Sequence, residues 1–231
     1  MLIFLCLTLF SEPSAAEWLD KSIAYHYPNN GWANFAYSLT MLETRPGGTD
    51  RNSTLVMDVP GDRFVTEVLA GDTRIYRELV QGKAKGSLNG KTDVSDEDAH
   101  KHRLTPERIS WLRNYYFYMW GLPAKLKDPG TILGEKAEKG EFLGKPVIVL
   151  NVRYQPEVGT DFWQFYLHPE TAALVGCRFW RKDPKTDGEY IIFKEEYKLG
   201  DLRIPNVRGW YMNADDKHLG DDSITAHKPA N

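Results

Sequence analysis

The chain has 231 residues, 42% of them apolar, and a formal net charge of -3. A chain of this length and composition can bury one large core, which favours a single domain. The small net negative charge gives no basic field of the kind that nucleic-acid binding requires, so nucleic acid is excluded as an expected partner.

The chain opens with MLIFLCLTLFSEPSAA, an apolar run followed by small residues. This pattern predicts a signal peptide over residues 1–16, with cleavage after Ala16, and a periplasmic or secreted protein. The apolar run is about nine residues long, whereas a membrane-spanning helix needs roughly 20. Once the leader is removed, Cys177 is the only cysteine, which excludes an intrachain disulfide.

The segment that follows predicts one helix and then an antiparallel meander. Apolar residues between Glu17 and Tyr27 recur at helical spacing, and Pro28 ends the pattern. From Asn34 the apolar period changes to two, and four such runs are separated by short Gly-containing turns. Short turns of this kind join antiparallel neighbours. The polar residues 82–102 show no apolar period and predict a surface excursion.

A central helix then separates two groups of strands. Thr105, Pro106 and Glu107 supply a capping hydroxyl, a first-turn proline and a first-turn acid, and Gly121-Leu122-Pro123 ends the helix. Strand patterns resume at Val147 and continue to a polar C-terminal tail. The total is about ten strands, which predicts the α+β class. We expect residues 17–231 to form one domain: a single large curved antiparallel sheet, or half-barrel, with both helices on its concave side.

The central helix is unusually rich in aromatic residues, in the stretch RNYYFYMWGLPAKLK. Such rings either fill the mouth of the half-barrel as ordinary core or cover a ligand cavity as a lid. Tyr and Trp favour the lid, because their polar ends suit the edge of an apolar pocket. The two lysines that follow could contact an anionic head group. The predicted ligand-binding residues are Trp111, Tyr115, Tyr118, Trp120, Lys125 and Lys127, with Phe179 and Phe193 at inner strand positions.

Four segments also resemble a family of uncharacterised exported bacterial proteins: LRNYYFYMWGLPAKLKDPGT, DFWQFYLHPETAALVGCRFWR, GEYIIFKEEY and RGWYMNADDKHLGDD. The resemblance covers residues 18–222, and Ala124 departs from the methionine common in that family. The family is similar in fold to the periplasmic lipoprotein carriers of the LolA type, which are half-barrels that shield acyl chains. This likeness implies a protein that binds a lipid or another hydrophobic small molecule, with a lipoprotein or membrane as a potential acceptor. We also expect a monomer.

Other chemistry finds little support in the sequence. The histidines and acids do not follow zinc or calcium spacing, and no hydrolase elbow or phosphate-binding loop is present, so we expect no metal, cofactor or catalytic residue. Two alternatives to a binding protein stay open. One is an exported hydrolase that uses Glu189 or Asp161 as general base, with His168 as a weaker candidate. The other is a structural surface protein whose core is closed.

Overall fold

The computed structural model describes residues 13–181 and 187–230. The apolar run of the predicted signal peptide lies outside these residues. Three α-helices occur in the described part of the chain: α1 Ala15–His26, α2 Asp96–Lys101 and α3 Pro106–Gly121. The strands are β1 Ala36–Thr44, β2 Arg51–Asp58, β3 Arg63–Ala70, β4 Thr73–Val80, β5 Lys83–Leu88, β6 Thr131–Leu133, β7 Glu138–Phe142, β8 Lys145–Tyr154, β9 Phe162–Leu167, β10 Leu174–Trp180, β11 Glu189–Leu199, β12 Leu202–Met212 and β13 His218–Pro229.

The strands form one open antiparallel sheet of 13 strands. Their order is β5-β4-β3-β2-β1-β13-β12-β11-β10-β9-β8-β6, and β7 pairs with β8 beside this path. The prediction of a single large antiparallel sheet is therefore confirmed, while the expected number of about ten strands is too low. β5, β6 and β7 were missed because they are short and lack an alternating apolar face.

The C-terminal segment that was expected to be a polar tail is instead strand β13. It pairs with β1 on one side and with β12 on the other, and so joins the N-terminal and C-terminal halves of the sheet. The sequence pattern did not indicate this strand, because many of its side chains make polar contacts with neighbouring strands instead of forming an apolar face. Asp222, for example, accepts hydrogen bonds from Arg45 Nη2 and from Trp210 Nε1, each at 3.0 Å.

Helix α1 begins before the predicted cleavage point. Ser14 is its N-cap and forms a capping box with Glu17, and its backbone carbonyl accepts a hydrogen bond from Trp18. Ala15 is fully buried, and its N–H donates to the carbonyl of Glu135. The folded domain thus includes at least two residues that cleavage after Ala16 would remove.

Helix α3 packs against one face of the sheet. It begins as predicted, with Thr105 as N-cap and a proline in the first turn, and it buries Ile109, Leu112, Phe117 and Met119. These side chains share one core with α1 and with strand residues from both halves of the sheet. A smaller cluster lies on the opposite face, because β8 alternates: Val147 and Val149 belong to it, whereas Ile148 and Leu150 belong to the main core.

Candidate functional site

A cleft with a volume of about 700 Å³ lies beside α3. Its other walls come from the segment after α3, from the end of β8 and from the loop that leads into β9. The lining residues are Trp111, Arg113, Asn114, Tyr115, Phe117, Tyr118, Lys125, Asp128, Pro129, Thr131, Tyr154, Glu157, Val158, Gly159, Asp161 and Trp163.

Stacked aromatic rings form one wall of this cleft. Trp111 and Tyr115 are four residues apart, which places them on the same face of α3, and their rings stack with centroids 5.5 Å apart. Tyr115 also faces Trp210 of β12, with ring centroids 6.5 Å apart. Trp111 is 50% exposed, so the outer end of the stack presents a broad apolar surface to the solvent. This wall is an apolar surface open to a ligand.

Two tyrosines link α3 to β8 across the base of the cleft. The hydroxyls of Tyr118 and Tyr154 hydrogen bond to each other. Trp163 of β9 contacts Tyr118 edge-on at 6.0 Å and stacks on Phe179 of β10 at 4.6 Å. Burial raises the pKa of Tyr118 and of Tyr154, so both phenols stay neutral at physiological pH. The base of the cleft is therefore aromatic and uncharged.

The basic residues near the cleft are paired. Lys125 forms an ion pair with Asp128, and both residues line the cleft. Arg113 Nη2 lies 2.7 Å from Asp62, and its guanidinium covers the ring of Phe117 at 4.1 Å. A ligand head group would thus meet basic side chains whose charge is already balanced.

Asp161 is an acidic residue of the cleft, and its pKa is raised. Partial burial raises the pKa of its carboxyl, and the nearby Arg181 opposes that shift. Among the described residues that line the cleft, none is a histidine, cysteine or serine. Among the residues that the structure describes, no group of three or more His, Cys, Asp or Glu side chains could hold a metal ion.

The structure divides the predicted ligand-binding residues into three groups. Trp111, Tyr115, Tyr118 and Lys125 line the cleft. Lys127 lies outside the lining and pairs with Asp20 of α1 at 2.7 Å. Phe179, Phe193 and Trp120 are buried.

The surroundings of Trp120 show that it is a core residue. The guanidinium of the buried Arg208 lies 3.4 Å from the centroid of its ring, and the hydroxyl of Tyr27 donates to its backbone carbonyl. Phe193 lies 5.8 Å from the same guanidinium. Sequence reasoning missed Arg208, since no local pattern marks an arginine that will be buried.

The other candidate bases lie away from this cleft. Glu189 lines a separate depression of about 240 Å³ beside Trp210, where partial burial raises its pKa and Arg181 lies 3.7 Å away. His168 holds a turn, because its Nδ1 accepts backbone hydrogen bonds from Glu170 and Thr171. Of the three candidates, the structure brings only Asp161 to the aromatic cleft.

Solved structures with the same architecture define the class of fold. A LolA superfamily protein from Nitrosomonas europaea aligns with a TM-score of 0.57 and 7% identity, covering 95% of each chain. A putative outer membrane lipoprotein-sorting protein domain from Vibrio parahaemolyticus aligns with a TM-score of 0.51 and 12% identity over 93% of each chain. A DUF1329 family protein from Desulfovibrio piger gives 0.51 and 8%, covering 95% of this chain and 94% of that one. The fold is therefore LolA-like.

The sequence itself assigns the chain to a family. Residues 1–226 match the Family of unknown function (DUF6503), and the chain belongs to this family. No curated protein sequence matches it significantly. Within the described residues, no helix has both the length and the apolar character needed to cross a membrane.

Proposed function

We propose that this protein is a non-catalytic binding protein that holds an acyl chain or another hydrophobic small molecule against the aromatic wall of α3. The observation that carries the proposal is the cleft of about 700 Å³ lined by Trp111, Tyr115, Tyr118, Tyr154 and Trp163. Small-molecule sites are typically concave, mostly apolar and about 300–1,000 Å³ in volume.

The chemistry of the cleft favours a ligand bound mainly through apolar contacts. The neutral phenols and stacked rings offer dispersion contacts and hydrogen bonds without charge. Lys125 can reach an anionic head group only in exchange for its ion pair with Asp128, and Lys127 only in exchange for its ion pair with Asp20. The head group therefore contributes less to affinity than the apolar part of the ligand.

The fold also supports a proposal about the ligand class, the localisation and the acceptor of this protein. The LolA-like fold and the structural similarity to a putative outer membrane lipoprotein-sorting protein domain support a lipid or hydrophobic ligand. We propose an exported, periplasmic or secreted monomer. In this proposal the sheet curves as a half-barrel and α3 covers its concave side. A lipoprotein or a membrane is the potential acceptor of the ligand.

One observation supports a second candidate function, an exported hydrolase. Asp161 lies in the cleft with a raised pKa, a property that general bases often share. Replacement of Asp161 by Asn separates the two functions: it should abolish any ester or glycoside turnover by a hydrolase but leave ligand retention by a binding protein nearly unchanged.

The binding function is tested by mass spectrometry of an organic extract of the purified protein and by titration with a fluorescent fatty acid. We expect a stoichiometric apolar ligand and saturable fatty-acid binding. Trp111→Ala should weaken the binding about tenfold, since one aromatic contact contributes about 1–1.5 kcal/mol. Leu143→Ala is the matched control, because Leu143 is also 50% exposed but lies outside the cleft. An empty protein with no saturable uptake would rule out the proposed function.

A further inference from the structure

A second cleft, of about 290 Å³, lies on another side of α3 and is lined by three arginines. Arg51 and Arg77 come from β2 and β4, and Arg103 comes from the turn that precedes α3. Leu112 and Tyr116 of α3 complete the wall. None of these five residues lines the aromatic cleft.

Arg77 carries a buried charge that only neutral groups contact. It is 8% exposed, and its guanidinium donates to the carbonyl of His102 at 2.7 Å and 3.1 Å, to the carbonyl of Arg103 at 3.2 Å and to Thr66 Oγ1 at 3.3 Å. Each guanidinium nitrogen has a neutral partner, but among the described residues the positive charge has no carboxylate in hydrogen-bond contact. Buried charges are normally paired, because removing an ion from water costs several kcal/mol.

Arg51 has a buried N–H donor without a hydrogen-bond partner among the described residues. Its Nη2 pairs with Glu43 at 2.5 Å, but its Nε is buried and has no hydrogen-bond partner among the described residues. Glu43 is the one acidic residue in the described lining of this cleft. Its carboxylate is shared, since it also pairs with Arg45 at 3.5 Å and accepts a hydrogen bond from Ser53. Three guanidinium groups against one carboxylate leave the cleft with an excess of positive charge.

We propose that this cleft is an anion site that binds the phosphate group of a phosphate monoester. A guanidinium presents paired N–H donors that match phosphate oxygens, and a doubly charged oxyanion would balance the excess charge around Arg77. Tyr116 also lines the cleft, and part of the lining is apolar. The phosphate could belong to a soluble ester or to a lipid head group. This site does not depend on the function proposed for the aromatic cleft.

The test is calorimetric titration with inorganic phosphate and, separately, with dihexanoyl phosphatidic acid, at constant ionic strength set with chloride. Arg103→Gln is the main variant, because Arg103 is exposed and its removal spares the buried network. Arg74→Gln is the matched control: it lies on the same strand as Arg77, outside the cleft, with a 61% exposed side chain. Arg77→Met removes the buried charge if that variant folds.

We expect saturable binding of at least one of the two probes, weakened about tenfold in Arg103→Gln and unchanged in Arg74→Gln. Binding of both probes with similar affinity would assign the site to the phosphate group alone. Binding of the phosphatidic acid alone would assign it to a lipid head group. The absence of saturable binding of either probe, or equal losses in Arg103→Gln and Arg74→Gln, would overturn the proposal.

Discussion

Replacing His26 by Gln should remove a large part of the acid sensitivity of this fold. His26 is 4% exposed, its Nδ1 donates to the carbonyl of Arg203 at 2.5 Å, and its Nε2 accepts the N–H of Leu174 at 2.8 Å. Both ring nitrogens are thus occupied in the neutral form. Burial lowers the pKa of His26 from 6.5 to about 4, Glu196 opposes the shift, and the nearby arginines add to it.

The sign and the size of the effect follow from linkage. Because the pKa is lower in the folded protein, the unfolded chain binds a proton first as the pH falls, and stability is lost from about pH 6.5 downwards. A shift from 6.5 to about 4 corresponds to about 3 kcal/mol in total, of which about 2 kcal/mol is lost between pH 7.5 and pH 5. The loss is complete below about pH 4.

The assay is urea unfolding of the wild type and of His26→Gln at pH 7.5 and pH 5. Gln can donate to the Arg203 carbonyl and accept from the Leu174 N–H, so we expect the variant to lose no more than about 1 kcal/mol at pH 7.5. Burial raises the pKa of Asp161 and of Glu189, which acts in the opposite direction, but these groups are common to both proteins. An equal fall in stability for both proteins between the two pH values would refute the reasoning.

Three further predictions concern stability and reactivity. Phe165→Ala, at a fully buried position, should cost about 3–5 kcal/mol, whereas Trp111→Ala, half exposed, should cost less than about 1 kcal/mol; equal costs in urea unfolding would make Trp111 a core residue. A chain that starts at Glu17 should be about 1–2 kcal/mol less stable than one that starts at Ser14, because it lacks the helix cap; equal melting curves would contradict this. Burial raises the pKa of the Cys177 thiol, so in a chain that lacks residues 1–13 iodoacetamide at pH 8 should label Cys177 only after unfolding. Rapid labelling of the native protein would contradict the buried position of Cys177.

Much of the candidate site follows from helical geometry. At 100° per residue, Tyr115 and Tyr118 lie within about 40° of Trp111 around α3, so these three rings were predictable as one surface. Trp120 lies about 180° from Trp111 by the same arithmetic, which directs it to the core rather than to the cleft. The prediction that Trp120 binds ligand relied on the aromatic composition of α3 and not on the helical position of this residue.

The base of the cleft could not be predicted in this way. Tyr154 and Trp163 come from β8 and β9, and their contact with Tyr118 joins residues 36 or more positions apart. Lys125 and Lys127 were predicted to contact an anionic head group, and in the structure they form ion pairs with Asp128 and Asp20. Such partners depend on how the segment after α3 folds back.

The sequence by itself determined the elements whose residues are close along the chain: the start and end of α3, its aromatic face and the strands with an alternating apolar pattern. Only the tertiary structure decided that the polar C-terminal segment is the strand between β1 and β12, that Arg77 and Arg208 are buried, and that α3 meets β8 and β9 at a cleft. The physical reason is that periodicity records which side of an element is apolar, whereas pairing and burial of polar residues depend on partners distant in the chain.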